Sequence, residues 1–384
     1  MVMARYYWDV QSFRRDLDKL YKMISNEDNP IKRQKLMYCY DIINNSMFTN
    51  FLMPEAGIPL HRKIHSLYAS FLSDQRYFEL LNSFIEVMDD NLELYNQTYN
   101  HMDDINDMIA KASGVHVGRE QAVSICYDFY KNLDNSLFRA FQPFYNERFN
   151  HLRFLNSIKN TGASYTRGQQ YYLYGMKTNY VEVIGSDNPD MVMTLIHESA
   201  HVIDANYSPE SYLYETYYYE VISLFMELVS NYKKAGNFDE LFYYSNYVKR
   251  ISSFCADAED GLSFDALMGI YKENHYSIND TFYSTAKEKY DLTKKSVKDI
   301  LSEVILSDIV YPISFSLALY FFNIYKQDEK KGLVELKKFL KTKDRDEYMP
   351  FMLSEKAQHV MHDELKSILT ECDQFFQQQA ILKK

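Results

Sequence analysis

The scarcity of glycine and proline constrains the fold of this 384-residue chain more than any other feature of its sequence. The chain has 11 glycines and 8 prolines, about 5% of its residues, against roughly 12% in an average protein. Few positions are therefore available for tight turns, and we expect long helices joined by few connections. Because 46% of the residues are hydrophobic, these helices can enclose a large core. The sequence predicts a mainly α protein with two helical lobes around a cleft.

The lobes are predicted to divide near residue 114. Residues 1–114 are expected to form a helical N-terminal lobe, and residues 115–384 the larger region. Residues 1–114 consist of successive amphipathic segments with helical periodicity. The clearest apolar stripe at helical spacing among them consists of Leu80, Leu81, Phe84, Ile85 and Met88. We expect these side chains to pack in the core.

A short segment between residues 162 and 185 has the pattern of β-strands instead. Two runs rich in tyrosine, valine and isoleucine, at 171–174 and 180–184, flank the segment 175–179. Alternation and β-branching favour a hairpin there. Because the next helical pattern begins a few residues later, we expect a small sheet beside that helix.

That helix carries the pattern H-E-x-x-H, formed by His197, Glu198 and His201. Asn188 and Pro189 have the order of an N-cap followed by proline at the first helical position. Residues four apart on a helix point the same way. Two imidazoles on one face can bind a zinc ion, and Glu198 beside them can act as the base that activates water. The neighbouring hairpin is then the candidate surface for a peptide substrate, because an edge strand can hold an extended peptide by backbone pairing.

A catalytic zinc site requires a third protein ligand. Glu220 stands at the margin of the next apolar helix, 19 residues after His201, and Glu227 lies two turns further along the same face. A carboxylate at such a margin requires a metal or a positive partner, so the spacing leaves both glutamates as candidates. Asp204 shares the face of the motif. We expect it either to accept a hydrogen bond from a metal-binding imidazole or to be an ordinary solvated aspartate.

The charge balance argues against binding to nucleic acid. With a net charge of −11 and no basic cluster, the chain lacks the pattern that phosphate binding requires. Four cysteines, Cys39, Cys126, Cys255 and Cys372, stand singly, which is typical of free thiols in a reducing compartment. The first residues do not resemble a signal peptide, and no uncharged run is long enough to span a membrane. We expect a cytoplasmic protein.

Several segments, in order, resemble the zinc oligopeptidases that include thimet oligopeptidase and oligoendopeptidase F. These are GASY at 162–165, TLIHESAH at 194–201, EVISLFME at 220–227, YPISFSLA at 311–318 and KKG at 330–332. The similarity covers about residues 115–340. It implies a metalloendopeptidase that cleaves oligopeptides and uses one zinc ion, with Glu198 as catalytic base. It also implies His197, His201 and Glu220 as the ligands, because the first glutamate of the third segment binds the metal in that family.

The sequence departs from the family pattern at several positions. Ala200 replaces a usual glycine, and Asp204 stands where the family has another histidine. The family tyrosine that stabilises the tetrahedral intermediate falls near Ile309. Tyr311, two residues on, is the candidate for that catalytic role, and a core aromatic is the alternative. For a further family histidine, His275 is a distant candidate, and the N-terminal lobe is shorter than in full-length members, so we expect a more open cleft.

Two other interpretations compete with the zinc peptidase. One is a peptide-binding protein on the same scaffold that has lost catalysis because stabilising residues are missing. The intact ligand set and Glu198 argue against it. The other is a helical interaction protein in which H-E-x-x-H occurs by chance. That interpretation predicts that no zinc is tightly bound.

Overall fold

The computed structural model describes residues 18–19, 21–26, 76–156, 167–173, 178–207, 218, 220–273, 310–342 and 345–383. The helices, numbered in chain order, are α1 (Arg76–Asp89), α2 (Leu92–Asp103), α3 (Asn106–Ser113), α4 (Arg119–Leu133), α5 (Asn135–Asn146), α6 (Arg148–His151), α7 (Pro189–Tyr207), α8 (Val221–Tyr232), α9 (Glu240–Glu273), α10 (Val310–Gln327), α11 (Glu329–Lys341), α12 (Met349–Met352) and α13 (Glu355–Lys383). A 3-10 helix, Arg345–Tyr348, precedes α12. The predicted mainly α class is confirmed. The arrangement of two lobes around a cleft stays a prediction.

Three strands form one small mixed sheet. The strands are β1 (Leu152–Asn156), β2 (Arg167–Leu173) and β3 (Thr178–Gly185). Their order is β1-β3-β2, with β3 antiparallel to β2 and parallel to β1. The predicted hairpin is confirmed as β2 and β3. Strand β1 was not predicted, because only Leu152 and Phe154 alternate inward there, which is too short a pattern to indicate a strand.

One face of this sheet packs towards the helix that follows it. Val181 and Val183 of β3 are buried in the core on this face, together with the inward residues of β1. Gln170 and Gly168 of β2 stand opposite these two valines, and residues opposite each other on paired strands point to the same face. Helix α7 contacts both β2 and β3, so Gly168 and Gln170 face α7.

Helix α7, which carries H-E-x-x-H, is enclosed by its neighbours. It begins at Pro189, as predicted, and the backbone N–H of Met191 donates to the carbonyl oxygen of Asn188 at 3.1 Å. Of its 19 residues, 16 are buried. Helices α4, α5 and α8 pack against it beside the sheet. The motif therefore lies in the interior of the fold and not in a surface loop.

One hydrophobic core joins the early and late helices of the described chain. It extends from Leu80 in α1 to Phe376 in α13. Helix α2 packs along α13, and α1 packs on α9 and α10. The predicted stripe is confirmed, since four of its side chains are buried and that of Ile85 packs against them. The division at residue 114 stays a prediction.

Three of the four cysteines lie in the described ranges. Cys126 and Cys372 are buried and Cys255 is half-buried, and each is a free thiol. Cys39 lies outside the described residues. Within those ranges, no helix is both long enough and apolar enough to cross a membrane.

Candidate metal centre

His197 and His201 stand one turn apart on α7, and both are buried. Their Nε2 atoms are 3.3 Å apart. This close approach follows from the i, i+4 spacing, which places both rings on the same side of the helix. The two imidazoles therefore present nitrogen atoms to one common point.

Glu220 adds a carboxylate oxygen at the same point. It immediately precedes the first residue of α8, and its side chain forms no capping hydrogen bond with that helix. Its Oε2 atom lies 3.1 Å from Nε2 of His197 and 3.2 Å from Nε2 of His201. The hydroxyl of Ser223, one turn along α8, donates to the same Oε2 at 2.8 Å. Packing of α8 against α7 thus completes a triangle of three ligand atoms.

The size of this triangle suits a zinc ion. Zinc binds imidazole nitrogen and carboxylate oxygen at about 2.0–2.2 Å in tetrahedral geometry, which places neighbouring ligand atoms about 3.3 Å apart. The three edges here measure 3.1, 3.2 and 3.3 Å. Among the described residues, His197, His201 and Glu220 are the group of histidine, cysteine and acidic side chains placed to hold one ion. Two nitrogens and one oxygen are also a ligand set that zinc accepts in catalytic sites.

Glu227, the competing candidate for the third ligand, lies on the opposite side of the His197 ring. Its Oε1 is 2.6 Å from Nδ1 of His197, and the guanidinium of Arg250 on α9 donates to the same oxygen at 2.6 Å. A carboxylate paired with Nδ1–H fixes the tautomer and leaves Nε2 free to bind a metal. The arrangement therefore suits Glu227 to orienting the imidazole, while Glu220 faces both histidines.

The protonation equilibria reflect close pairing of histidine and carboxylate side chains at this centre. Burial by itself would lower the pKa of His197, but hydrogen bonds to Glu220 and Glu227 outweigh it and raise the pKa to about 10. Burial would raise the pKa of Glu220, but the charges and hydrogen bonds of His201 and His197 hold it well below its usual range. Glu227 behaves likewise, because Arg250 and His197 outweigh its burial and lower its pKa.

The same charges indicate what the centre can accommodate. The described part of the site contains three buried carboxylates, those of Glu198, Glu220 and Glu227, and one guanidinium, that of Arg250. Histidines that bind a metal are neutral, and with both histidines neutral these groups sum to a charge of −2. Buried charges require compensation, and a divalent cation supplies it.

Glu198 lies between α7 and strand β2. It is buried, with 5% of its surface exposed, and its side chain covers the backbone of Gly168. Burial raises the pKa of Glu198 to about 6, although the two histidines act in the opposite direction. A carboxylate with a pKa near neutrality can both accept and return a proton. The position and pKa of Glu198 would allow it to act as a general base.

Tyr311 is within electrostatic reach of the same centre. It is the second residue of α10, and its ring stacks on that of Phe254 with 6.0 Å between ring centroids. Burial, followed by the negative charges of Glu220 and Glu198, raises the pKa of Tyr311 well above its usual value. The phenol therefore stays protonated and can donate a hydrogen bond. The catalytic role of Tyr311 stays a prediction.

The structure contradicts both interpretations of Asp204. The side chain is fully buried and forms a bidentate ion pair with Arg345 of the 3-10 helix. One of these hydrogen bonds, from Nη1 to Oδ2, measures 2.9 Å. Asp204 is therefore neither solvated nor paired with an imidazole. It joins the end of α7 to the segment that follows α11.

Four residues in or around the motif helix and the site were not found by sequence reasoning. They are Gly168, Ser223, Arg250 and Arg345. Ser223 could have been found, because it stands three residues from Glu220 on the same helix. The other three approach the motif from distant parts of the chain, and no local pattern points to them. His275 and the segment 162–165 lie outside the described residues.

No family model matches this chain, and no curated protein matches its sequence. Solved structures do match its fold. A Bacillus anthracis protein assigned as an oligoendopeptidase F has a TM-score of 0.51 and 13% identity, over 92% of this chain and 64% of its own. A Chlamydophila abortus protein assigned as a peptidase has a TM-score of 0.51 and 12% identity, over 87% of this chain and 63% of its own. PZ peptidase A, solved with an inhibitor, has a TM-score of 0.50 and 10% identity, over 94% of this chain and 71% of its own.

The chain shares the fold of these proteins. It spans slightly less than two thirds of the length of the first two. The predicted fold, mainly α with a small sheet beside the H-E-x-x-H helix, is therefore confirmed. At 10–13% identity, the likeness shows the fold alone.

Proposed function

We propose that this chain is a zinc-dependent metalloendopeptidase that hydrolyses peptide bonds in oligopeptides. The observation that carries the proposal is the triangle of Nε2 of His197, Nε2 of His201 and Oε2 of Glu220, with edges of 3.1–3.3 Å. Two imidazoles and one carboxylate form the ligand set of hydrolytic zinc sites that keep a fourth position open. The fold shared with solved peptidases supports the same class of reaction.

His197, His201 and Glu220 would hold the ion. Zinc supplies Lewis-acid chemistry, because it polarises a carbonyl group and lowers the pKa of water towards about 7. The surrounding side chains keep the ligands in place: Ser223 donates to Glu220, and Glu227 accepts from His197. Such hydrogen bonds set the orientation and basicity of the ligands.

Glu198 performs the proton transfers in this mechanism. It accepts a proton from the attacking water molecule and later donates it to the leaving amine. Both steps require a carboxyl group that changes its protonation state easily near neutral pH. The pKa of about 6, caused by burial, meets this requirement.

Tyr311 stabilises the negative charge that develops on the carbonyl oxygen. Its phenol remains protonated because burial and the neighbouring carboxylates raise its pKa. A hydrogen-bond donor directed at such an oxygen contributes about 3 kcal/mol to stabilisation of the transition state.

Strand β2 offers a surface for the peptide. Among the described strands it has β3 as its one neighbour, and it contacts the metal-binding helix α7. An extended peptide can pair with the outer edge of such a strand through backbone hydrogen bonds. Peptides N-methylated at alternate amides test this, because methylation in one register should weaken cleavage strongly and in the other only slightly. Equal effects in both registers would contradict pairing.

The proposal is tested with a library of internally quenched peptides. Zinc-loaded wild type is expected to cleave a subset of the library, and a chelator should abolish the cleavage. Glu198→Gln keeps the shape of the side chain but removes the base, so we expect it to bind zinc and fold normally while turnover falls by at least about 100-fold. A Glu198→Gln variant as active as wild type would contradict the mechanism.

The same experiment separates the competing interpretations. Tight zinc binding without any cleavage by folded wild type would favour a catalytically impaired peptide-binding protein. Absence of tight zinc binding would favour a helical interaction protein in which the motif occurs by chance. The enclosed position of Glu198 beside both histidines supports the enzyme over both of these.

A further inference from the structure

Strand β2 approaches the H-E-x-x-H helix most closely at a residue without a side chain. A Cβ atom built on Gly168 would lie 2.6 Å from Cδ of Glu198 and closer still to its Cγ and Oε1. Real Cβ atoms essentially never approach another heavy atom within 3.0 Å. Glycine within a strand often marks such a close approach. The side chain of Glu198 occupies the space that any other residue at position 168 would fill.

We propose that Gly168 is a positioning residue that creates the place in which the carboxylate of Glu198 is held. This inference rests on the proposed role of Glu198 as the base. Gly168 itself touches no reacting atom in this proposal. It acts by leaving space for the Glu198 side chain against the strand. The carboxylate is then buried beside the two histidines, where it can transfer protons.

The strand cannot withdraw easily to relieve a clash at Gly168. Gly168 is paired with Val183 of β3, and β3 is paired on its other side with β1. The sheet also forms a hydrogen bond with α7 two turns beyond Glu198. There Asn179 accepts from Gln170 at 2.6 Å and donates to Asn206 of α7 at 3.2 Å.

The sheet contacts α7 at two points, and the distance between these points is similar along the helix and along the strand. Glu198 and Asn206 are eight residues apart, which is about 12 Å along a helix. Gly168 and Tyr172, the residue paired with Asn179, are four residues apart, which is about 13 Å along a strand. Helix and strand are thus held side by side at both positions. A methyl group at position 168 would therefore displace the free end of Glu198 and not the strand.

Displacement of a catalytic group by about 1 Å can cost roughly 100-fold in rate. The test is Gly168→Ala, with Gly118→Ala as the matched control. Gly118 precedes α4, and a Cβ built there meets nothing within 4 Å. Gly168→Ala is expected to lower kcat by about 100-fold while KM and the zinc content per chain stay unchanged. Gly118→Ala should retain the kinetics of wild type.

A crystal structure of zinc-loaded Gly168→Ala supplies a readout that does not depend on activity. We expect the Glu198 carboxylate to move by about 1 Å or more while His197, His201 and Glu220 stay in place. An unmoved carboxylate with an unchanged kcat would overturn the inference. General damage to the fold would instead move the ligands or reduce the zinc content, and that outcome would overturn it as well.

Two further outcomes distinguish failure of this inference from failure of the proposed function. If zinc-loaded wild type cleaves no peptide, the proposed function fails, and the crystal structure of Gly168→Ala still decides whether Gly168 positions Glu198. If Gly168→Ala does not fold, the double variant Gly168→Ala/Glu198→Ala shows whether a clash with the Glu198 side chain is the cause. Removal of the Glu198 side chain makes room for the methyl group, so restored folding would support the inference. Failure of the double variant to fold would overturn it.

Discussion

The hydroxyl of Tyr311 is a single group whose removal separates a catalytic role from a packing role. Tyr311→Phe keeps the ring that stacks on Phe254, so the fold should not change. We expect kcat to fall by about 100- to 1,000-fold, the usual effect of removing one donor to a developing oxyanion. KM and zinc affinity should change little. Steady-state kinetics measure this, and an unchanged kcat would make Tyr311 a core aromatic.

Isosteric glutamine variants of Glu220 and Glu227 test which of the two residues is the third metal ligand. Glu220→Gln weakens the proposed third metal ligand, and we expect zinc affinity to fall by about 1,000-fold, or about 4 kcal/mol. Glu227→Gln changes the partner of His197 Nδ1 and of Arg250 but leaves Glu220 and both Nε2 atoms intact, so a fall of about 10- to 100-fold is expected. Zinc titration with a competing chelator measures both affinities. The reverse order of effects would assign the metal to Glu227.

At the scale of residues, the sequence was informative where the chemistry is local. His197, Glu198 and His201 share one face because of helical spacing, and that can be read directly from the motif. Glu220 and Glu227 could not be separated by spacing alone, because they stand seven residues apart on one helix face. What distinguishes them is Arg250, which contacts Glu227 and comes from α9.

Asp204 and Arg345 connect two elements, the end of α7 and the 3-10 helix. Both side chains are buried, at 0% and 1% exposure. Asp204→Asn removes the charge that Asp204 presents to the buried guanidinium of Arg345, so we expect a loss of about 3–5 kcal/mol in the free energy of unfolding. Zinc affinity of the folded variant should stay close to that of wild type, because Asp204 pairs with Arg345 and not with an imidazole. Denaturant unfolding and zinc titration measure the two quantities.

The matched control is the double variant Asp204→Leu/Arg345→Met. Replacement of a buried ion pair by apolar residues of similar size is often close to neutral, so most of the lost stability should return. A double variant no more stable than Asp204→Asn would contradict this account of the pair. A large loss of zinc affinity in Asp204→Asn would restore the earlier interpretation of Asp204 as a partner of the metal ligands.

At the scale of elements, strong local sequence patterns predicted helices and strands correctly, and weak patterns did not. Helix α7 has a start signal at Pro189 and a long apolar stripe, and the hairpin of β2 and β3 has clear alternation. Strand β1 has only Leu152 and Phe154 as inward residues and depends on pairing with β3 for its existence. The partner of Asp204 lies 141 residues away in the sequence, a distance at which no local pattern gives information.

At the scale of the whole molecule, the candidate metal centre joins α7 to α8 within one core. Three carboxylates are buried close together there, and a divalent cation offsets their charge when the histidines are neutral. A ligand that binds only the folded state adds about 4 kcal/mol when present at 1,000 times its Kd. Chelation is therefore expected to lower the Tm by roughly 5–10 °C, and added zinc should restore it. His201→Ala should show a Tm that does not respond to zinc, and an equal response would place the binding site elsewhere.

The overall class was predictable from composition, whereas the packing was not. The scarcity of glycine and proline indicates long helices in any arrangement. The contacts of α2 with α13 and of α1 with α9 and α10 depend on shape complementarity between segments far apart in the sequence. The same holds for the approach of β2 to α7 at Gly168, which decides where Glu198 lies.

The most direct test of the central claim is an activity titration with zinc. Metal-free protein is mixed with an internally quenched peptide, and zinc is added in small steps while hydrolysis is followed. If His197, His201 and Glu220 hold one catalytic ion, the rate should rise linearly and level off at one zinc per chain. Hydrolysis that is independent of zinc, or none when one zinc is bound per chain, would contradict the claim.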